Sequence, residues 1–392
     1  MRFLSLGAAI TALSSIVSAE NTDNTVWDRV LLEAHGQTVY WNAWGGDDNI
    51  NDYIEWARVQ VAEIYGVKLH HVKLIDTAAA IQVVEMEFAA GKREDGGSVD
   101  MIWINGENFA RLKRQDMLGQ PFVEDLPNYS LTDFESNLSI QQDFSEKTEG
   151  LESPWGLAQF TILFDTARFQ KFPTTALELL SWAESNPGRF AYPSPPNFVG
   201  TTFIKQLALE TMEDPSLLYS PAVENSAILL EPLWSYLEQL HPYLWRQGQA
   251  FPDSHINLRD LFNRDEIDVI LTFNPGDAAA LVAQEIMPPS IAPATFKLGH
   301  ITNTHFLALP GNSESRAGAM VVANFLLSPA AQARKADPSI WGDTTVLDLS
   351  KLDALDRNLF QTYTTALGDA VLEPHASWVP VLEAGWKSKF SQ

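Results

Sequence analysis

Short apolar runs alternate with amphipathic stretches along residues 38–115. The runs TVYWNAW, VKLHHVKL and SVDMIWI are rich in the β-branched and aromatic residues that are typical of strands. Apolar residues recur at helical spacing from Ile50 to Ile64, and Gly66 is a stop signal for that helix. Helices are also predicted over 77–92 and 108–115. This β-α-β-α-β order predicts a parallel sheet with helices on its faces.

A second series of strands and helices follows residues 120–157, which are rich in turn formers and predict loops. Strands are predicted at 157–165, 189–196, 266–273 and 301–311, and helices at 176–185, 201–212, 278–285 and 313–329. The segment 165–300 therefore has enough elements to bury a core of its own. A length of 392 residues also favours two domains.

Two glycine-containing loops follow strands at the same predicted sheet edge. Gly45 and Gly46 come directly after the strand that ends in Trp44, and Asn105-Gly106-Glu107 comes after the strand MIWI. In parallel sheets with helical crossovers, ligands bind outside the carboxyl ends of the strands. The alternative is that both loops are ordinary turns, but two such loops at one edge favour a binding site.

The N-terminus and the overall composition indicate an exported protein. Residues 1–19 contain Arg2, an apolar run and a small-residue cleavage pattern before Glu20, which predicts a secretory signal peptide rather than a buried helix. The chain has no cysteine, which favours the bacterial periplasm over disulfide-rich secretion and excludes a lipoprotein anchor. A net charge of −24 makes nucleic acid an unfavourable partner.

Several segments together resemble a known family. The signal peptide precedes TVYWNAWGG, and DMIWINGENF, PWGLAQFTILFD, FAYPSPPNFVGTTF, DVILTFNPGDAAA and ITNTHFLALPG follow along nearly the whole mature chain. These segments resemble the solute-binding proteins of bacterial ABC transporters, within the YnjB-type family that is related to thiamine, polyamine and iron(III) binders. The resemblance implies an α/β, two-lobed type II periplasmic-binding fold, in which each lobe is a sheet flanked by helices.

The resemblance also implies how the chain divides and what it does. Lobe one would contain 20–156 and 305–392, lobe two would contain 165–300, and the segments 157–164 and 301–309 would cross between them. A monomer would capture a small solute as the lobes close and deliver it to a membrane permease. No cofactor, metal or catalytic residue is implied. The alternatives are a periplasmic lyase or hydrolase on the same scaffold, and a sensor that binds without delivery.

The strand-to-helix loops and nearby aromatics supply the candidate ligand-binding residues. They are Trp44, Gly45, Gly46, Asp47, Asn105, Gly106 and Glu107 in lobe one, Pro196, Asn197, Thr201, Thr202, Asn274, Gly276 and Asp277 in lobe two, and the aromatics Trp155 and Phe160. Helix N-termini suit an anion, whereas aromatics with scattered acids suit thiamine, a polyamine or another organic amine. Thr201 and Asp277 have a second interpretation, as caps of their own helices.

Other site classes lack their sequence signals. The chain has no adjacent tyrosines of the kind that the iron-binding relatives use, and it has neither cysteine nor an H-E-x-x-H motif for zinc. It also lacks a G-x-S-x-G elbow, a Walker loop and a G-x-G-x-x-G fingerprint. A pair of carboxylates for glycoside hydrolysis stays open, because fifty acidic residues always offer pairs.

Overall fold

The computed structural model describes residues 25–360 and 369–390. The strands are β1 (Thr38–Trp44), β2 (Lys68–Leu74), β3 (Met101–Ile104), β4 (Gln142–Asp143), β5 (Glu146–Lys147), β6 (Glu152–Gln159), β7 (Thr161–Asp165), β8 (Val269–Thr272), β9 (Ile291–Ala294), β10 (His300–Ala308) and β11 (Ala370–Leu372). The predicted signal peptide, residues 1–19, lies outside the described residues.

Fifteen α-helices are described in the same ranges. They are α1 (Val26–Ala34), α2 (Asp48–Tyr65), α3 (Ala78–Ala89), α4 (Gly106–Arg114), α5 (Leu138–Gln141), α6 (Ala176–Ser185), α7 (Phe198–Thr211), α8 (Ser226–Leu229), α9 (Glu231–Leu240), α10 (His255–Asn263), α11 (Asp277–Ala283), α12 (Arg316–Leu326), α13 (Pro329–Ala336), α14 (Ala354–Asn358) and α15 (Trp378–Phe390). Short 3₁₀ turns lie at Val123–Asp125, Pro127–Leu131, Pro215–Tyr219, His241–Tyr243 and Trp245–Gly248. In these described ranges, no helix has both the length and the apolarity to cross a membrane.

The first lobe is built around a six-stranded mixed sheet. Its order is β11-β10-β3-β1-β2, with β6 also paired to β10. The pairs β1–β2 and β1–β3 are parallel, which confirms the parallel unit predicted from the alternating runs. The carboxyl ends of these three strands therefore lie at one edge, each followed by the N-terminus of a helix.

Helices cover both faces of this sheet. On one face, α1, α2, α12 and α13 enclose a core that includes the fully buried Trp41, Tyr53 and Trp155. On the other face, α3 and α4 pack against strand residues such as Ile102 and Phe306. The face periodicity of α2, with Ile50, Ile54 and Val61 buried, agrees with its predicted amphipathic pattern.

The second lobe contains a smaller antiparallel sheet of order β8-β7-β9. Its core is formed by α6, α7, α9 and α10 packed on these strands. The strand predicted at 189–196 is wrong: the segment forms no ladder, because three of its last four residues are prolines without an N–H donor. The backbone carbonyl of Phe190 instead accepts a hydrogen bond from Trp245 N at 2.7 Å.

The chain changes from one sheet to the other at Phe160. A single strand is predicted over 157–165, but the structure has β6 before Phe160 and β7 after it. Strand β6 pairs with β10 in the first-lobe sheet, whereas β7 pairs with β8 and β9 in the second. The amide of Phe160 donates to the carbonyl of Ile301 at 2.8 Å. The two predicted crossing segments therefore lie hydrogen-bonded to each other.

The C-terminal helix packs against the second lobe, which differs from the predicted assignment of 305–392 to lobe one. Trp378, Leu382 and Trp386 of α15 are buried in the core that also contains α7 and α9. The indole N–H of Trp386 donates to the hydroxyl of Tyr192 at 2.8 Å. Hydrophobic burial of these tryptophans explains why the chain returns to this side.

Candidate functional site

A cavity of about 600 Å³ lies between the two lobes. The first lobe contributes the loops that precede α2, α3 and α4, and the second lobe contributes the loops that precede α7, α10 and α11. The crossing strand β10 contributes Asn303 and His305. The volume lies within the range of small-molecule sites, so the geometry fits a small ligand held by both lobes.

Asp47 and Asn197 fix the helix starts on opposite sides of the cavity. The Oδ1 of Asp47 accepts from the backbone N–H groups of Asn49 and Ile50 at 2.9 and 3.2 Å. The Oδ1 of Asn197 caps α7 in the same way, and its Nδ2 donates to the carbonyl of Asp253 at 3.1 Å. Capping thus holds these side chains at the cavity wall.

Asp277 lies at the first position of α11 and faces the cavity. The hydroxyl of Thr272 donates to its Oδ2. Burial raises the pKa of Asp277 to about 6, against the opposing hydrogen bond from Thr272 and the charge of Arg259. This carboxyl group therefore changes charge near neutral pH, in a place where a ligand would meet it.

Aromatic rings line both sides of the cavity. Trp44 at the end of β1 lies 6.2 Å, between ring centroids, from His255 of the second lobe. Phe198 and Phe273 form an edge-to-face pair at 5.0 Å on the second-lobe side. Such surfaces suit stacking on a flat group or contact with a cation.

The inner end of the cavity combines aromatic rings with a buried carboxylate. Trp103 stacks on His305 with 4.9 Å between centroids, and Trp341 lies 5.8 Å from Trp103. Asp343 is only 1% exposed, and its Oδ2 pairs with Lys335. Burial raises the pKa of Asp343 to about 6 and lowers that of Lys335 to about 8.

Several buried polar atoms at this inner end lack hydrogen-bond partners among the described residues. They include Oδ1 of Asp343 and Nδ1 of His305. Burial, with the charge of Lys335, holds the pKa of His305 well below its ordinary value, so the imidazole is neutral. Buried polar atoms are rarely left without partners. A ligand that donates a hydrogen bond would satisfy the carboxylate oxygen.

Acidic groups outnumber basic ones on the described cavity wall. The acids are Asp47, Asp76, Asp253, Asp277 and Asp343, whereas Arg259 is the single lysine or arginine. A cleft lined mainly by one sign of charge concentrates ligands of the opposite sign. Even with Asp343 paired to Lys335, most charged side chains at this wall are carboxylates.

Comparison with known proteins identifies the family. A model of the bacterial extracellular solute-binding protein family matches residues 60–355. The chain is 43% identical to Protein YnjB of Escherichia coli (strain K12) over 366 residues, which cover 93% of this chain and 94% of that protein. The chain belongs to the bacterial extracellular solute-binding protein family. This membership confirms the resemblance found in the sequence.

Solved structures of solute-binding proteins share the fold. A putative extracellular solute-binding protein from Bordetella parapertussis matches with a TM-score of 0.65 and 14% identity, covering 90% of this chain and 99% of that one. A periplasmic thiamin binding protein matches with a TM-score of 0.61 and 13% identity, covering 91% and 96%. These likenesses confirm the two-lobed α/β class with sheets flanked by helices.

Seven of the residues predicted for the ligand site of this family member line the cavity. They are Trp44, Asp47, Asn105, Pro196, Asn197, Asn274 and Asp277. All of them lie in strand-to-helix loops or at helix starts, where the sheet-edge rule places ligand contacts. The fold thus brings together at one cavity residues that are more than two hundred positions apart in the sequence, such as Trp44 and Asp277.

Gly45, Gly46 and Gly276 support the wall without lining the cavity. A Cβ on Gly46 would lie 2.4 Å from the Trp44 ring, and one on Gly45 would lie 2.7 Å from Lys73 Cβ. The paired glycines therefore allow the close packing at the end of β1. Gly276 approaches the backbone of Gly342 in the same way.

Six other predicted site residues point away from the cavity. Trp155 on β6 and Phe160 at the junction of β6 and β7 are fully buried in the cores of the first and second lobes. Gly106 packs against Phe144, and Glu107 faces Glu383 and Lys205. Thr201 donates its hydroxyl to Glu383 at 2.8 Å, and Thr202 is fully buried in α7.

Several cavity residues were missed by sequence reasoning. Trp103 could have been predicted from the sequence, because it lies two residues before Asn105 near the end of a predicted strand. Arg259, His305, Trp341 and Asp343 carry no such signal, since they enter the cavity from a helix face, a crossing strand and an irregular segment near residue 341. Tertiary packing alone places these four at the site.

Proposed function

We propose that this solute-binding protein captures a small organic cation, such as a thiamine-like molecule or another organic amine, between its two lobes. The observation that carries the proposal is the excess of carboxylates over basic groups on an aromatic-lined cavity wall. Carboxylates attract the cation, and tryptophan faces contact it through their electron-rich rings.

Capture follows from contacts that require both lobes. A ligand that touches Trp103 and Asp343 on one side and Phe273 and Asp277 on the other gains interactions only when the lobes are close together. Such a ligand shifts the population toward the closed form by its difference in affinity for the two forms. The closed form then presents one surface made of both lobes, which a membrane permease would recognise in the periplasm, after the signal peptide directs export.

A thermal-shift screen on ligand-stripped mature protein tests the proposal. The panel contains thiamine, choline, putrescine and spermidine, with sugars, sulfate and phosphate as the opposite class. A compound at a hundredfold excess over its Kd stabilises the folded state by about 2.7 kcal/mol, which gives a clear shift in Tm. We expect shifts with cations and none with oxyanions.

Variants separate cavity binding from unspecific attraction to an acidic surface. Asp277→Asn removes a carboxylate from the wall and should weaken cation binding about tenfold. Asp48→Asn removes an exposed carboxylate of α2 that does not line the cavity, and it should have no effect. Binding of sulfate or phosphate in place of cations, or an equal loss in both variants, would overturn the proposal. Turnover of a panel compound would instead favour the lyase or hydrolase alternative.

A further inference from the structure

Arg259 stands apart from the acidic residues around it. It lies in the second turn of α10 and lines the cavity. No ion pair or hydrogen bond of its side chain occurs with any residue of 25–360 or 369–390. Its charge nevertheless acts on the cavity, since it opposes the rise in the pKa of Asp277 and adds to the burial that lowers the pKa of His255.

Other arginines in this chain form ion pairs with carboxylates, in contrast to Arg259. Arg168 and Arg189 both reach Asp268, at 2.6 and 2.5 Å, and Arg111 pairs with Glu85 at 2.6 Å. In these pairs the guanidinium donors are satisfied by carboxylate oxygens through charge-assisted hydrogen bonds. Arg259 makes no such pair, although it is close enough to Asp277 for its charge to lower the pKa of that carboxyl. Its donors are therefore available to a ligand.

The inner end of the cavity offers a free hydrogen-bond acceptor, whereas Arg259 offers free donors. Asp343 is 1% exposed, its Oδ2 pairs with Lys335, and its Oδ1 has no hydrogen-bond partner among the described residues. Lys335 divides its donors between Oδ2 of Asp343 and the carbonyl of Trp155, which lies 2.9 Å from its Nζ. A ligand group with N–H donors, flanked by Trp103 and Trp341, would complete the hydrogen bonding of Asp343.

We propose that the ligand is amphoteric, with a nitrogen-bearing cationic group bound at Asp343 between Trp103 and Trp341 and with an anionic group bound by Arg259. This inference rests on the proposed function and adds to it a second charged group of opposite sign. A carboxylate or a phosphate ester fits the fork of N–H donors that a guanidinium presents. Arg259 is then the residue that separates amphoteric ligands from simple amines.

Matched pairs of compounds test this inference on the full mature chain. The probes are ethanolamine with phosphoethanolamine, thiamine with thiamine monophosphate, and butylamine with 4-aminobutanoate, so each pair shares a nitrogen-bearing cation with N–H donors and differs in an anionic group. Calorimetric titration gives the ratio of the two Kd values for each pair. A charge-assisted hydrogen bond is worth about 1.5–3 kcal/mol, so we expect at least about tenfold tighter binding of the anion-bearing member in one pair.

Substitution of Arg259 assigns that advantage to one side chain. In Arg259→Gln the ratio should fall to about threefold or less, while binding of the simple cation is unchanged or stronger because a positive charge is gone. Arg259→Lys keeps the charge without the fork and should retain part of the ratio. The control is Arg264→Gln, since Arg264 is exposed and does not line the cavity. An unchanged Tm of the unliganded variants shows that they fold.

The possible results separate the two proposals. If simple cations bind but no anion-bearing partner binds more tightly, the amphoteric ligand is wrong and the organic-cation site stands. If the advantage exists but survives in Arg259→Gln, Arg259 is not the anion contact and the inference is overturned. If neither member of any pair binds, both proposals are wrong. Only an advantage that is lost in Arg259→Gln and kept in Arg264→Gln supports the inference.

Discussion

The side-chain amide of Asn274 donates a hydrogen bond to the carbonyl oxygen of Trp341, with 3.0 Å between nitrogen and oxygen. Asn274 precedes α11 in the second lobe, whereas Trp341 packs in the core of the first. The same Asn274 accepts from the backbone N–H of Gly276 at 2.8 Å. One amide group thus links the start of a second-lobe helix to the first lobe, directly beside the cavity.

Gly276→Ala should interfere with closure of the lobes. A Cβ at this position would lie 2.4 Å from the carbonyl oxygen of Gly342, which is backbone and has little freedom to move. Overpacking of this kind costs about 1–3 kcal/mol, and it would apply only when the lobes meet. We expect about 5- to 100-fold weaker ligand binding with little change in the stability of the unliganded protein.

Small-angle scattering checks the closure of Gly276→Ala directly. The radius of gyration of wild type should decrease when the best compound of the screen is added, and that of the variant should decrease less. Ala279→Ser on the exposed face of α11 is the control. An equal decrease in wild type and variant would show that the Gly276–Gly342 contact does not limit closure.

Trp155→Ala and Trp44→Ala should have opposite consequences. Trp155 is fully buried among Trp41, Trp103 and Trp341, so its removal leaves a large cavity and should lower the free energy of unfolding by about 3–5 kcal/mol. Trp44, the last residue of β1, lines the ligand cavity, so its removal should weaken binding and leave the fold intact. Urea titration and calorimetry of both variants give the comparison. A binding defect without destabilisation in Trp155→Ala would contradict this assignment.

Affinity for a permanent organic cation should increase with pH. The pKa of Asp277 is raised by burial to about 6, so the carboxyl is neutral below this pH and ionised above it. Choline carries a charge that does not titrate, and we expect its affinity to increase about tenfold from pH 5 to pH 7. In Asp277→Asn the affinity for choline should depend less on pH, and the remaining dependence should come from Asp343. A profile that is flat in wild type would contradict the raised pKa.

Ionisation of Asp277, which increases cation affinity, should decrease the stability of the unliganded fold. Because the folded-state pKa of Asp277 lies above that of the unfolded chain, the protonated carboxyl favours folding below about pH 4. This contribution is lost as the pH increases through about 6. Asp277→Asn should therefore reduce the decrease in stability between pH 4 and pH 6, which urea titration at several pH values measures.

Lys335→Met should destabilise the fold more than an exposed substitution. Lys335 is 1% exposed, pairs with the buried Asp343 and lies 3.9 Å from the Trp155 ring centroid. Removing one partner of a buried pair leaves the other charge uncompensated, at a cost of about 3–5 kcal/mol. The double variant Lys335→Met with Asp343→Leu should recover much of this loss. The control is Lys387→Met, an exposed substitution on α15. If Lys335→Met and Lys387→Met lowered the free energy of unfolding equally, the stabilising role of the buried pair would be contradicted.

The sequence by itself determined the parts of this protein that depend on neighbouring residues. The period of apolar positions predicted β1, β2 and β3 and the helices after them, because a parallel unit buries one face of each helix against its strands. The same local logic placed Trp44, Asp47 and Asn105 at the sheet edge. Family membership likewise followed from motifs that lie along the chain.

Only the tertiary structure decided how distant segments combine. It broke the predicted strand at Phe160, because that residue ends pairing in one sheet just before the next begins. It also packed α15 on the second lobe through buried tryptophans, and it brought Arg259, His305 and Asp343 into one cavity. Burial and pairing of side chains across hundreds of residues carry no local pattern, so the inward turn of Trp155 and the charge balance of the cavity became visible only in the folded molecule.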